Sequence, residues 1–283
     1  MKYLQKHLTA CVIALVTLLS VASMAMAAPA TDVTSFAILS AAPGQGGAVT
    51  LTDSTIYGDV GSSGLLASVV QTRSKISGSI IAPVSDQVVT DFNTALANGL
   101  SSISCTTANT ITGTLAGTSL GSGTYCISPE AKTGILTLTG TGPWNFIVVG
   151  DISTGYLVGT NFNVVLADSN AAPCDVTWYV PSYATMTTSN FVGTIYAGAA
   201  ITITGGTFSG DALASAAVTT TGSSVLGCFA TGHHVLKAKC NQGVGNGPEA
   251  CDPGNSNQGN PFNSNDELGG VPGAPGRQGG NNK

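Results

Sequence analysis

The side chains of this chain that could do chemistry form two sets. The first is conventional. It holds the adjacent His233 and His234, and nine carboxylates between residues 53 and 211: Asp53, Asp59, Asp86, Asp91, Glu130, Asp151, Asp168, Asp175 and Asp211. A catalytic serine needs a histidine base in reach, and residues 28–232 contain no histidine. The histidine pair has no acid or cysteine at metal-ligand spacing. Several carboxylates stand beside Gly or Asn, in "YGDVG", "VVGDI" and "LADSN", where making turns is the commoner task. A glycosidase would need two of them to converge in space, and a polysaccharide-active β-helix would add a base such as Arg73 or Lys132. The Gly-rich "GTLAGTSLGSG" lacks a strand–GxGxxG–helix context and a Walker lysine. The sequence therefore points away from an enzyme, and it calls for no cofactor and no metal.

The second set consists of hydroxyls in rows. "ATMTTSNFVGTIYAGAA" (184–200) is followed at once by "ITITGGTFSGDALASAA" (201–217). Superposed, they share Thr185/Thr202, Thr187/Thr204, Phe191/Phe208, Gly193/Gly210, Ala197/Ala214, Ala199/Ala216 and Ala200/Ala217. A cut-off third copy starts at Val218 with Thr219 and Thr221. Threonine carries a methyl and a hydroxyl on a stiff β-branched stem. Rows of it do no covalent chemistry, but they can hold water at fixed separations.

Such rows need a scaffold that repeats in space. Seventeen residues with Gly at fixed corners are too few for a propeller blade and suit one turn of a parallel β-solenoid, of either hand. Alternation then puts Met186, Ile203 and Thr220 in one inward column and Phe191 over Phe208 in another. The T-x-T pairs point outward, about 4.8 Å apart between rungs and roughly 6.7 Å along a strand. Short alternating runs punctuated by Gly, Asn, Asp or Pro extend this pattern over Ser35–Cys228. Trp144 and Trp178, in "PWNFIVV" and "VTWYV", read as core. One segment differs. In 85–99, Val88, Phe92 and Leu96 fall at helical spacing, with Ser85 as cap and Gly99 as stop, which predicts a helix over about 86–98.

The ends have other compositions. Residues 1–27 read as a signal peptide: Lys2 and Lys6, an apolar stretch, and Ala25-Met26-Ala27 as the cleavage pattern. Residues 28–232 form the solenoid domain, and 233–283 a Gly/Asn/Pro-rich tail. The protein is expected to be secreted and monomeric, with no membrane span and with cell-surface or matrix components as the conceivable partners of the tail. Between Thr31 and Gly232 the only bases are Arg73, Lys75 and Lys132, too few to bind nucleic acid. Six cysteines remain after the leader, an even count that suits disulfides in an exported chain. Cys105–Cys126 and Cys240–Cys251 are the preferred pairs. Cys174 and Cys228 would lie about three rungs apart, on the order of 14 Å, beyond disulfide reach unless the chain returns irregularly.

The chain resembles the bacterial and fungal ice-binding proteins formerly catalogued as a domain of unknown function. The resemblance covers about Ser35 to Cys228. It is carried by "FAIL" (36–39), "GDVG" (58–61), the helix, "GSGTYCI" (121–127), "LTLTGTGPWNFIVV" (136–149), "DVTWYV" (175–180) and "NFVGTIYAGAAITITGGTFSGDALASAAVTTTGSSVLG" (190–227). It implies a discontinuous β-solenoid of triangular cross-section, one long helix packed alongside, and an ice surface as partner. It also implies T-A/G-x-T/N segments flanking the ice-binding face. Thr204-Gly205-Gly206-Thr207 matches that pattern fully; Thr187-Thr188-Ser189-Asn190, Thr221-Gly222-Ser223-Ser224 and Thr52-Asp53-Ser54-Thr55 match it in part. With the outward Thr185, Thr202 and Thr219 of the repeat added to the ends of these segments, the expected ice-binding residues are Thr52, Thr55, Thr185, Thr187, Asn190, Thr202, Thr204, Thr207, Thr219, Thr221 and Ser224.

Overall fold

The computed structural model describes residues 32–228. The expected signal peptide and the whole expected tail, with its Cys240–Cys251 pair, lie outside the described residues. Within them, twenty short strands and one α-helix wind into a coil whose strand pairings are all parallel. Ala184 pairs with Ile201 and Ile201 with Val218, so the seventeen-residue repeat is one rung. The expected inward columns are present. Met186, Ile203 and Thr220 are buried in register, and the Phe191 and Phe208 rings stack at 5.1 Å.

Each of these rungs has three straight segments, which makes the cross-section triangular. In the rung at 184–200 they are residues 184–187, 189–192 and Thr194–Ala197. The first corner is a single residue. Alternation runs from Ala184 to Thr187, Thr188 faces outward as well, and burial resumes at Ser189. Thr188 stands at φ 48°, in the left-handed region; such an inserted residue bends a strand and resets its alternation. The second corner is Gly193, at φ 118°, where a Cβ would come within 2.6 Å of Trp178 Nε1. At Gly210, φ 143°, a Cβ would instead strike the Gly193 backbone, so each of the two repeated corners needs glycine for its own contact.

The coil is discontinuous. The early strands Phe36–Ser40 and Val49–Thr52 pair with the late strands Ala212–Ala214 and Val218–Thr221. The helix Asp86–Leu100 then carries the chain to the far end of the stack, where a second series of rungs starts at Thr110–Ile111. Ser85 caps the helix, accepting from Val88 N at 3.4 Å. Its apolar face, Val88, Phe92 and Leu96, packs on Phe36, Leu39, Tyr196 and Leu213 of the nine-stranded sheet. Gly99 does not stop the helix, which runs on to Leu100. It is the point of closest approach instead: a Cβ there would run into the Tyr179 ring.

Cys105–Cys126 forms as expected, with Cα atoms 5.6 Å apart. Cys174 and Cys228 are also bonded, at a Cα separation of 5.5 Å, which corrects the expectation that they lie out of reach. Two irregularities bring them together. Between the strands Leu157–Leu166 and Val176–Val180 the corner is an insertion, 167–175, ending in the 3-10 turn Pro173–Asp175. After Leu226 the chain turns back along the corners. Cys228 N donates to Asp211 Oδ1 at 2.7 Å, and its Sγ lies 3.4 Å from Thr194 Oγ1.

Trp144 and Trp178 are both fully buried, as their apolar context suggests. Tyr125, Phe146 and Trp178 stack in register inside the coil, Phe146 and Trp178 with centroids 3.9 Å apart. One inward residue does not match its column: Thr220 is fully buried and its hydroxyl has no partner. An unpaired buried hydroxyl costs about 1–3 kcal/mol, and Val has nearly the same shape. Thr220→Val is therefore expected to stabilise the protein by about 1 kcal/mol, raising Tm by about 2–4 °C. A thermal melt of the variant checks this, and a lowered Tm would count against it.

Candidate functional site

The second sheet presents its outward residues in columns. The first, in spatial order, is Val158, Thr185, Thr202, Thr219, Thr50 and Val70. The second is Thr160, Thr187, Thr204, Thr221, Thr52 and Thr72, six threonines on six adjacent rungs. Beyond the bend the third is Asn163, Asn190, Thr207, Ser224, Thr55 and Lys75. All eleven residues singled out from the sequence fall into these three columns. Two columns lie on one face, and the third lies past its edge.

The edge is itself a column. Asn161, Thr188, Gly205, Gly222, Asp53 and Arg73 have φ between 48° and 65°. Thr and Arg tolerate this region poorly, Asn, Asp and Gly better, so the position is imposed by the coil rather than by local preference. Polar groups bind one another across rungs at the edge and in the third column beside it. Thr188 Oγ1 donates to Asn161 Oδ1 at 2.7 Å, Asn190 N to Asn163 Oδ1 at 3.1 Å, and Thr207 Oγ1 to Asn190 Oδ1 at 2.9 Å.

Thr50, Thr72, Thr160 and Asn163 were not anticipated. Thr160-Asn161-Phe162-Asn163 carries polar residues at the first and last places of the pattern, which is a usable signal. Its partner rung, however, is 27 residues away rather than seventeen, because of the 167–175 insertion. Thr50 and Thr72 belong to the early rungs, which join the ladder only through the late strands.

The charged groups lie away from the middle of the ladder or are neutralised. Arg73 clasps Asp53 on the neighbouring rung, its Nε and Nη2 each 2.6 Å from a carboxylate oxygen, both groups exposed at the edge. The Arg73 hydrogen bond and charge hold the Asp53 carboxyl below its ordinary value. With Lys75 they mark one end of the columns. An open groove of about 460 Å³ by the helix end, lined by Leu100, Ile103, Ile152 and Pro181, has Asp151 as its carboxylate. The Asp151 oxygen is occupied by the N–H and hydroxyl groups of Ser153 and Thr154, which pull its pKa down to about 2. Its role is that of a turn former. Among the described residues no three His, Cys, Asp or Glu side chains converge as metal ligands, and no helix is long and apolar enough to cross a membrane.

A parallel β-solenoid of triangular rungs, with one helix alongside and threonine columns on an outer face, is thus the class that the fold and surface define. A model of the family described as Ice-binding-like matches residues 26–226, and the chain belongs to that family. The solved ice-binding protein from the Antarctic ascomycete Antarctomyces psychrotrophicus is 26% identical, with a TM-score of 0.54 over 69% of this chain and 95% of that one. An ice binding protein from an Antarctic biological consortium is 27% identical, with a TM-score of 0.53 over 69% of this chain and 88% of that one. A glycosylated ice-binding protein from Arctic yeast, 20% identical at a TM-score of 0.56 over 70% of this chain and 92% of that one, shares the fold. No curated protein sequence matches the chain.

Lys132, one of the two bases that a polysaccharide-active site would have recruited, is fully buried. It closes the inward column of Gly159, Met186 and Ile203, and its Nζ donates to Gly113 O at 2.8 Å. Burial pulls its pKa down from 10.5 to about 8, against the opposing charge of Glu130. A lysine whose folded pKa is lowered burdens the fold while charged. Between about pH 8 and 10.5 the folded protein has shed the proton and the unfolded chain has not, so stability rises with pH there. Lys132→Met is expected to lack this rise. Its advantage over the parent is largest below pH 8 and shrinks above it, as melts at successive pH values would register. Parallel pH curves for the two proteins would contradict this account.

Proposed function

We propose that the protein is secreted and adsorbs to ice through the threonine face, inhibiting ice growth and recrystallisation. One observation supports this above the others: in-register hydroxyl columns on adjacent rungs of a hydrogen-bonded coil. On such a coil the hydroxyls recur at about 4.8 Å across rungs and roughly 6.7 Å along them. The methyls limit rotation of the side chains, so the face can order water at separations that a crystal plane also presents. Many weak contacts engage together, and the stiffness of the coil lets them do so without a large ordering cost. Adsorbed molecules make the ice front curve between them, which lowers the freezing point locally. The scarcity of charge suits the task, because ions organise water radially. The two disulfides fit an oxidising, extracytoplasmic setting.

The functional test is thermal hysteresis of the purified mature protein, with crystal shape followed in the same droplet. A freezing point below the melting point, with faceted crystals, is the expected result. Round crystals and no gap at high concentration would leave a solenoid acting as an extracellular scaffold. Thr204 and Thr187 are neighbours in the second column. Thr204→Tyr or Thr187→Tyr is expected to lower hysteresis several-fold with Tm unchanged, since neither side chain is in the core. Full activity in both variants would move the site to another face.

A further inference from the structure

The bend that separates the second column from the third strands a backbone donor, as seen at Phe162, Ser54 and Ser223. At the bend the left-handed residue takes the carbonyl its inward neighbour would otherwise use: Asp53 N donates to Thr72 O, and Gly222 N to Thr52 O, each at 2.9 Å. The next residue along, which faces inward, needs another acceptor, because a buried N–H left without one is strongly disfavoured. A serine hydroxyl from the adjacent rung supplies it. Phe162 N donates to Ser189 Oγ at 3.1 Å, Ser223 N to Ser54 Oγ at 3.3 Å, and Ser54 N to Ser74 Oγ at 3.0 Å.

Each of these three hydroxyls, like that of Ser223, can also donate to the carbonyl two residues back along its own rung. Ser189 binds Thr187 O at 3.0 Å, Ser223 binds Thr221 O at 3.0 Å, Ser54 binds Thr52 O at 2.8 Å and Ser74 binds Thr72 O at 3.1 Å. These carbonyls belong to the threonines of the second column. Where the rung has Gly206 instead, no hydroxyl is available, and a Cβ would strike the Ser189 backbone. The single hydroxyl proton of Ser223, on the next rung, has the Gly206 rung's carbonyls, Ile203 O at 3.3 Å and Gly205 O at 3.4 Å, as alternative acceptors to Thr221 O.

We infer that Ser189, Ser223, Ser54 and Ser74 are positioning residues for the hydroxyl columns, an inner ladder that fixes the bend and hence the separation of the second column from the third. The ladder never touches the surface that the columns present. It ties the backbone of Thr187, Thr52 and Thr72 to the adjacent rung, so that those neighbouring rungs bend at the same place. This inference rests on the ice-adsorption reading for its functional consequence, and on the hydrogen bonds alone for its structural content.

The two parts are tested separately in Ser189→Ala, Ser54→Ala and Ser74→Ala. Ser74 is on the outermost rung and half-buried, so its variant keeps the core intact. The structural readout is amide hydrogen exchange, which requires no ice. Exchange at Phe162, Ser223 and Ser54 respectively is expected to speed up by about tenfold or more, as the unpaired donor demands. The functional readout is hysteresis near 0 °C, where parent and variants are equally folded. It is expected to fall several-fold in Ser54→Ala. A comparison variant, Ser63→Ala, removes a buried hydroxyl bonded to Ala42 O at a different corner and is expected to retain full hysteresis. Unchanged exchange at the three amides would overturn the ladder. Faster exchange with undiminished hysteresis would overturn its positioning role. Parent protein without hysteresis would overturn the ice-adsorption reading, and exchange would still decide the ladder.

Discussion

The structure depends on one constraint: every rung hydrogen-bonds to its neighbours in parallel and in register. Parallel pairing sets like positions of successive turns one above another, so a residue type repeated in sequence becomes a column in space. The same rule builds the inward Met186–Ile203–Thr220 column and the outward Thr187–Thr204–Thr221 column. A slip of one residue would bury the threonines and expose the isoleucines. The corner glycine at Gly193 resists such a slip, since only its place in the rung lets the backbone approach Trp178.

Register alone would align the columns of one flat strand. The triangular section adds a harder requirement, because a bend breaks the regular exchange of N–H and C=O groups between rungs. The chain meets it with one left-handed residue and one inward serine per rung, repeated over most of the stack. The identity of the left-handed residue varies among Asn, Thr, Gly, Asp and Arg. The inner position is much less free. It is Ser on four of six rungs, with Phe162 and Gly206 on the others. Conformation at the bend is set by the stack, whereas the inner hydroxyl answers a specific chemical need.

The ends and the seams are handled by longer-range devices. Lys132 terminates an inward column and turns its amine to a loop carbonyl, and Cys105–Cys126 ties the adjoining segment to the stack. At the opposite junction the early rungs rest on the late ones, and the Cys174–Cys228 bond staples the chain's return along the corner. Asp211 is buried there, its carboxyl accepting from Cys228 N and Thr194 Oγ1, and burial pushes its pKa up to about 7. The scarce ionisable groups of the body thus serve mainly to close or brace the coil.

The sequence by itself determined the rung, the direction of its side chains, the helix and the absence of a histidine base from the body. These follow from short-range periodicity, which survives in the order of residues because neighbouring rungs are neighbouring repeats. The tertiary structure alone decided which distant segments meet. Thr50 and Thr72 extend the ladder because the early rungs stack on the late ones, and Thr160 joins it across a 27-residue interval that an insertion disguises. The same insertion, together with the turn after Leu226, brought Cys174 to Cys228 against the rung count. Gly99 reads as a helix stop from its type and is a contact point from its surroundings. The division has a physical cause. Hydrogen-bonded register is local and periodic, so composition and spacing reveal it, while the stacking order of non-adjacent rungs depends on which surfaces fit once the coil exists.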